Sequence, residues 1–341
     1  MTELAYLSAT PVVTALFKQQ VEDFQVVEVL PFSPSGEGEH WLLEIEKRGE
    51  NTVWVAEQLA RLFKVAVGVV SYAGLKDRQG ITRQWFSVQQ PKNDPIPDFK
   101  SLPKSLAVLQ ISRHNRKLRR GALSHNEFSI RLRQVSDIAA LEQRLQWLSQ
   151  HGVPNYFGPQ RFGHHGQNLE QARAMFAGKR IKNKSKRSLY LSAARSFVFN
   201  QLVSARINAG LADTLMTGDC LMLQGKHSFF VADPITDEIT KRLAEGDVQI
   251  SAPLVGDGDL TCSKEALSFE KQQLEPYADW VDGLAKARLS QERRPLLVRP
   301  MQLQWQTESE NNMWMHFNLP PGCYATSILR ELVNIPFEES K

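Results

Sequence analysis

A chain of 341 residues, 42% hydrophobic and 23% charged, is longer than one average domain and has the composition of a soluble globular protein, so two domains are expected. No run of about 18 apolar residues occurs, which speaks against a membrane-spanning helix, and residues 1–24 lack the basic stretch and apolar core of a signal peptide. A net charge of +4 and a pI near 8.9 are mildly basic and by themselves favour nucleic acid only weakly.

In chain order, residues 24–30 and 40–45 read as strands separated by the turn-rich residues 33–39. Asn51 or Thr52 can cap a helix whose apolar face is Val55, Leu59 and Leu62. The β-branched content of residues 65–73 predicts a buried strand, residues 74–80 turn the chain, and residues 81–88 form the next strand. Asp77 therefore falls on a connection, where polar groups can face a cleft. Residues 91–103 form a proline-rich loop. Strands flank a basic segment within residues 108–132, and residues 138–148 have helical spacing. Residues 152–158 break regular structure and mark a domain boundary. Helices follow, including one over residues 191–209, then short strands at 220–223 and 229–232 and a loop at 255–260. Strands at 301–305 and 314–319 and a helix at 325–333 end the chain, with no internal repeat.

The basic residues are clustered. Arg113, Arg116, Lys117, Arg119 and Arg120 crowd one segment, followed by Arg131 and Arg133. Lys179, Arg180, Lys182, Lys184, Lys186 and Arg187 form a second cluster with no acidic residue among them. Such clusters neutralise phosphates and release counterions. Three cysteines, Cys220, Cys262 and Cys323, stand far apart with no CxxC pair, which argues against a disulfide framework and a cysteine-rich zinc site and makes the cytoplasm the expected compartment. Motifs for dinucleotides, for nucleoside triphosphates and for zinc hydrolysis are absent. His164 and His165 are adjacent, so on a regular element they point apart; surface or RNA contact is the expected role, and no metal site is assigned.

By charge alone an Asp between Lys76 and Arg78 reads as an exposed loop ion pair. Yet Ala73-Gly74-Leu75-Lys76-Asp77, followed by Thr82-Arg83-Gln84-Trp85-Phe86, resembles the signature of TruD-type tRNA pseudouridine synthases. Further blocks are similar to that family in the family's order: Lys18 with Glu22-Asp23-Phe24, Gly36-Glu37-Gly38-Glu39-His40, Asn51-Thr52, Arg116-Lys117-Leu118-Arg119, Asn126-Glu127-Phe128, residues 152–163 (GVPNYFGPQRFG), and Leu319-Pro320-Pro321-Gly322-Cys323-Tyr324-Ala325-Thr326 leading to Leu329-Arg330-Glu331. They run from Lys18 to Glu331 and so cover nearly the whole chain. Cys323 departs from the family's usual Ser, which puts a hydroxyl role there in doubt.

The resemblance implies an α+β protein: a pseudouridine-synthase catalytic domain with a mixed, largely antiparallel sheet over residues 1–151 and 299–341, interrupted by an inserted α/β TRUD domain at 152–298. It implies isomerisation of uridine 13 in the D-arm of tRNA, without a cofactor and with no obligate protein partner. Asp77 takes the catalytic role, Lys18 pairs with it, and Phe24, Asn126, Phe128 and Tyr324 surround the flipped base. Phosphate contacts fall to Arg116, Lys117, Arg119 and Arg120 and to Lys182, Lys184, Lys186 and Arg187; Arg330 and Glu331 form a supporting ion pair. The chemistry breaks the N1–C1′ bond and joins C5 to C1′ with no redox change. A carboxylate beside the ribose serves by attack at C1′ or by accepting a proton in an elimination, and both routes remain open at this stage. A catalytically silent RNA-binding protein is disfavoured by the joint presence of Asp77, Asn126 and Phe128. A carboxylate glycosidase acting on free nucleosides has no use for the basic clusters.

Overall fold

A computed structural model describes residues 3–91 and 94–335. Residues 1 and 2 of the N-terminal segment and 92 and 93 of the proline-rich loop lie outside the described residues. The chain divides into two compact units: Pro11–Ser149 with Pro300–Gly322 and Leu332–Lys341, and Met1–Thr10 with Gln150–Arg299 and Cys323–Glu331. The second unit takes in two segments remote from its main stretch Gln150–Arg299. The reason is hydrogen bonding remote in sequence. The Glu331 carboxylate accepts from the Leu7 and Ser8 amides, Arg330 donates to the Leu4 and Ala5 carbonyls, and Ser327 Oγ donates to the Tyr156 carbonyl.

The first unit is built on a nine-stranded sheet. Its main path runs Met301–Ser309, Asn312–Leu319, His125–Arg133, Phe24–Val29, Ile81–Gln89, His40–Arg48, Leu106–His114. Two short strands join it, Leu16–Phe17 on His125–Arg133 and Val70–Tyr72 on Ile81–Gln89. Phe24–Val29 pairs in parallel with Ile81–Gln89, and the other pairings are antiparallel, which makes the sheet mixed. The helix Thr52–Leu62 begins where expected, because Asn51 Oδ1 accepts from the Trp54 amide at 2.8 Å and satisfies an end group. Its buried Val55, Ala56 and Leu59 pack on Leu43, Ile45, Phe86 and Val88. Burial of a side chain such as Leu59 stabilises by roughly 1.5–3 kcal/mol, and truncation to Ala costs about 2–5.

Residues 65–73 do not form one strand. A 3-10 turn at Val67–Val69 precedes the three-residue strand Val70–Tyr72. Val67 is exposed, so the β-branched run meets a sheet partner only from Val70 onward.

The second unit carries a four-stranded sheet in the order Phe229–Ala232, Asp219–Leu223, Val248–Leu254, Glu292–Pro295. The 25-residue helix Lys184–Asn208 packs Phe199 and Val203 against Leu221, Val248 and Ile250, and Leu191, Ala194 and Val198 against Leu169, Ala172 and Leu284. It starts earlier than apolar spacing indicated. Its first turns are exposed and basic, so no hydrophobic periodicity marks them, while Asn183 Oδ1 caps them by accepting from the Lys186 amide. Within residues 152–158, Val153–Pro154 forms a short strand paired with Leu297–Val298.

Candidate active site

Alternation along neighbouring strands assembles the site. Phe24, Val26 and Glu28 share one face of their strand, and their cross-strand partners are Ile130, Phe128 and Asn126. On the neighbouring strand Phe317 and Leu319 lie opposite Phe128 and Asn126. Lys47 pairs with Thr82, which pairs with Val26, and so lies on the same face. Two charges therefore sit among apolar groups, Glu28 and Lys47, both in the buried interior. A buried charge is costly unless partnered, and both find partners on the segment that carries Asp77.

Glu28 Oε1 accepts from Lys76 Nζ in a short ion pair, and Oε2 accepts from the Trp85 amide at 3.0 Å. Burial pushes the Glu28 carboxyl above its ordinary pKa, and the Lys76 ammonium opposes that push. Lys47 Nζ donates to the main-chain carbonyls of Asp77 (2.8 Å) and Glu50 (2.7 Å). Burial lowers the Lys47 pKa to about 8, with the Asp77 charge acting in the opposite sense. The Lys76 amide donates to Thr52 Oγ1 at 2.9 Å, Thr52 Oγ1 donates to Gln84 Oε1 at 2.9 Å, and Gln84 Nε2 donates to the Gly74 carbonyl at 2.6 Å. The Gly121 amide reaches the Ala73 carbonyl at 2.7 Å. Gly80 closes the segment at a place where a Cβ atom would lie 2.5 Å from the Phe24 carbonyl oxygen. The backbone of residues 73–80 is thus held from several sides.

Against this fixed backbone the Asp77 side chain is 41% exposed, and Lys18, 16% exposed, donates to its Oδ2. The Gln79 amide donates to Oδ1 at 3.2 Å, which leaves the carboxylate aimed and reachable. Lys18 holds a positive φ of 58°, a conformation that a non-glycine residue adopts at a cost of about 1–3 kcal/mol. Its ammonium stands 4.2 Å from the Phe24 ring centroid and 5.1 Å from that of Phe17. From Phe24 the rings continue to Phe128 (6.2 Å between centroids) and Phe317 (5.4 Å, stacked). Asn126 is buried on the same face, and its Oδ1 has no hydrogen-bond partner among the described residues. Asp77, Lys18, Phe24, Asn126 and Phe128 all belong to the first unit.

Tyr324 belongs to the second unit, where its hydroxyl accepts from Arg161 Nε (3.0 Å) and Nη2 (2.7 Å) and its ring meets Phe157 edge-on at 5.9 Å. Cys323 keeps a hydrogen bond to Arg294, and burial raises its thiol pKa. Arg330 and Glu331 pair at 3.0 Å, as expected, and both also bind the N-terminal backbone.

Among the basic residues, Arg116, Lys117, Arg119 and Arg120 are exposed around the buried Leu118. The Leu118 amide donates to Ser87 Oγ at 3.0 Å, and the hydrogen bond from Gly121 to Ala73 ties this loop to the start of the Asp77 segment. Arg113, Arg131 and Arg133 do not extend the cluster. Arg113 covers Trp41 at 3.8 Å and donates to the Gln90 and Pro91 carbonyls, Arg131 pairs with Glu308, and Arg133 pairs with the buried Asp23 at 2.8 Å. Lys182, Lys184, Lys186 and Arg187 are exposed at the start of the long helix. His164 and His165 are exposed too, but they lie in a 3-10 turn with ring centroids 4.0 Å apart in edge contact, so they do not point apart.

Lys47 and Glu28 are structural contributors outside the motif blocks, and Lys76, Gln84 and Arg161 lie within those blocks without a role having been assigned to them. A signal existed for two of them: Lys47 is in phase with Trp41, Leu43 and Ile45, and Glu28 with Phe24 and Val26, so each charge falls on an apolar face.

A reachable carboxylate paired with a lysine that stands on an aromatic ring, with a buried and unpartnered amide oxygen on the same sheet, suits an enzyme acting on a flat, polar ring. A family model described as tRNA pseudouridine synthase D (TruD) matches residues 2–179 and 168–332. The chain is 50% identical to a tRNA pseudouridine synthase D of Aeromonas hydrophila, covering 98% of this chain and 94% of that one. It is 47% identical to the protein of that name from Shewanella oneidensis, over 98% and 90% of the two chains. A crystal structure from Methanosarcina mazei described under the same family name shares the fold, with a TM-score of 0.71 at 21% identity over 96% of this chain and 95% of that one. This chain belongs to the tRNA pseudouridine synthase D family. No helix among the described residues is long and apolar enough to cross a membrane.

Proposed function

We propose that this chain, a pseudouridine synthase and hence an isomerase by family, converts uridine 13 in the D-arm of tRNA to pseudouridine, with Asp77 as the carboxylate that acts at the ribose. The observation that carries the reading is a reachable Asp77 side chain on a backbone held by Lys47, Thr52 and Gln84, with Lys18 on its carboxylate. Lys18 keeps the side chain aimed, whether it attacks C1′ or takes a proton from the sugar. The target nucleotide leaves its stack. Phe24 and Phe128 offer ring faces to the extruded base, and the unpartnered Asn126 Oδ1 is the acceptor for a donor on the uracil edge. Tyr324 is retained from the family motif as a proposed substrate-binding residue. The cycle moves one glycosidic bond from N1 to C5 and needs neither oxidant nor energy carrier, and cytoplasmic tRNA is the substrate.

Arg116, Lys117, Arg119 and Arg120, beside the Asp77 segment, and Lys182, Lys184, Lys186 and Arg187 neutralise phosphates and set the tRNA in register. Three cations stand in the first turn of a helix, Lys184, Lys186 and Arg187, where the dipole disfavours positive charge by about 0.3–1 kcal/mol each. A polyanion nearby offsets that penalty.

The test is pseudouridine mapping at nucleotide resolution on transcribed tRNAs, with Asp77→Asn in parallel. Wild type modifies position 13. The variant loses turnover by at least about 10³-fold, since a positioned acid–base or nucleophilic group supplies rate of that order, and binds tRNA within about twofold of wild type. Normal turnover by Asp77→Asn removes the assigned role, and modification at another position removes the assigned substrate.

A further inference from the structure

We infer that Lys47 is a positioning residue for the reaction: from inside the sheet its ammonium fixes the main chain of Asp77, so that the carboxylate meets the ribose in one orientation. The inference rests on the assignment of Asp77 as the reacting group.

Lys47 is completely buried, on the face that Trp41, Leu43 and Ile45 devote to packing. An unbranched apolar side chain would fill the same space without the expense of burying an ammonium. What the lysine adds is two directed, charge-assisted hydrogen bonds. One goes to the Glu50 carbonyl in the turn after its own strand, and the other to the Asp77 carbonyl. The second bond crosses to the residue whose carboxylate is exposed, from behind and without touching that carboxylate. Lys18 holds the same residue from the front. Lys76 is engaged by Glu28, so among the contacts on the neighbouring side chains Lys47 is the one that reaches the Asp77 main chain itself.

The charges facing Lys47 come from each surrounding element: Asp77 and Lys76 from the clamped segment, Glu28 from the adjacent part of the sheet, and Glu50 from the turn. Asp77, Glu28 and Glu50 favour the ammonium, Lys76 opposes it, and burial opposes it most, which brings its pKa down to about 8. The clamp is therefore charged at neutral pH and loses its charge as the pH rises through that value. A neutral amine makes weaker bonds to the two carbonyls, and the Asp77 backbone loosens. Misplacement of a reacting group by about 1 Å can cost about 10²-fold in rate.

The experiment measures kcat, KM and tRNA affinity from pH 6 to 10 for wild type, Lys47→Met, Lys47→Arg and Asp77→Asn, with circular dichroism and thermal melting as folding controls. Wild-type kcat is expected to fall on the alkaline side with a midpoint near pH 8. Folded Lys47→Met loses about 30–100-fold in kcat, keeps KM and tRNA affinity within about twofold, and lacks the alkaline fall. Lys47→Arg, whose charge persists throughout the range, retains more activity than Lys47→Met and also lacks the fall. A purely structural role changes the melting temperature and the amount of folded enzyme, and leaves the shape of the pH profile intact. The inference is overturned by Lys47→Met turning over within about threefold of wild type, by an alkaline limb that survives in either variant, or, should the variants not fold, by a wild-type kcat that is flat from about pH 7 to 9.5. Loss of activity in Asp77→Asn together with normal Lys47→Met places the failure on Lys47 alone. Full activity in Asp77→Asn overturns the catalytic reading and this inference with it.

Discussion

Replacing Lys76 by Met strands the Glu28 carboxylate. In the folded chain the Glu28 side chain is 0% exposed and that of Lys76 10%, and the partner that remains after the substitution is the Trp85 amide. Breaking a buried pair by removing one member costs about 3–5 kcal/mol, because the other charge stays in a poor solvent. Glu28 is already raised by burial despite Lys76, so without the lysine it rises further and keeps its proton in the folded state at pH values where the unfolded chain has released it. The unfolded state then binds fewer protons than the folded one across that window, and stability falls as pH rises through it. Urea unfolding followed by tryptophan fluorescence reports this unit, since all seven tryptophans except Trp280 belong to it. With an m-value of about 2 kcal/mol/M, the midpoint at pH 8 drops by about 1.5–2.5 M, and by less at pH 5.5. Lys76→Met combined with Glu28→Gln recovers most of the loss, because no charge is then stranded. A cost below about 1 kcal/mol at pH 8, an identical cost at both pH values, or a double variant no better than the single one refutes the reasoning.

Gly80→Ala places a methyl group 2.5 Å from the Phe24 carbonyl and 2.8 Å from its ring. Thermal melting should show a loss of about 1–3 kcal/mol and kinetics a lower kcat as Phe24 shifts; an unaltered melting curve and rate contradict the close packing described. Changing Lys184 and Lys186 together to Ala weakens tRNA binding and reduces the slope of log affinity against log salt by roughly 1–2, with kcat at saturating tRNA unchanged. An unchanged slope puts the phosphates elsewhere.

The sequence by itself determined the elements whose cause is local, and the family. The Asn51 cap and the spacing of Val55 and Leu59 specify the helix Thr52–Leu62, alternation specifies the strands that bear Phe24 and Phe128, and the ordered motif blocks identify the TruD family. Residues 74–80 were legible as a turn carrying Asp77 because glycines and charges interrupt the apolar runs on either side. Tertiary structure alone decided which charges are spent internally. Arg133 neutralises Asp23 across 110 positions, and Arg113 is taken up by Trp41 and the Gln90 and Pro91 carbonyls, so of one apparent basic cluster only the loop around Leu118 remains outward. Residues 323–331 and the first ten residues join the second unit because Glu331 and Arg330 satisfy N-terminal backbone groups more than 300 positions away. Lys47 and Glu28 follow the same physics. Their phase in a strand says that they face inward, but whether an inward charge is ruinous or useful depends on partners supplied by strand pairing and by the clamped turn, and those partners exist only once the chain has folded.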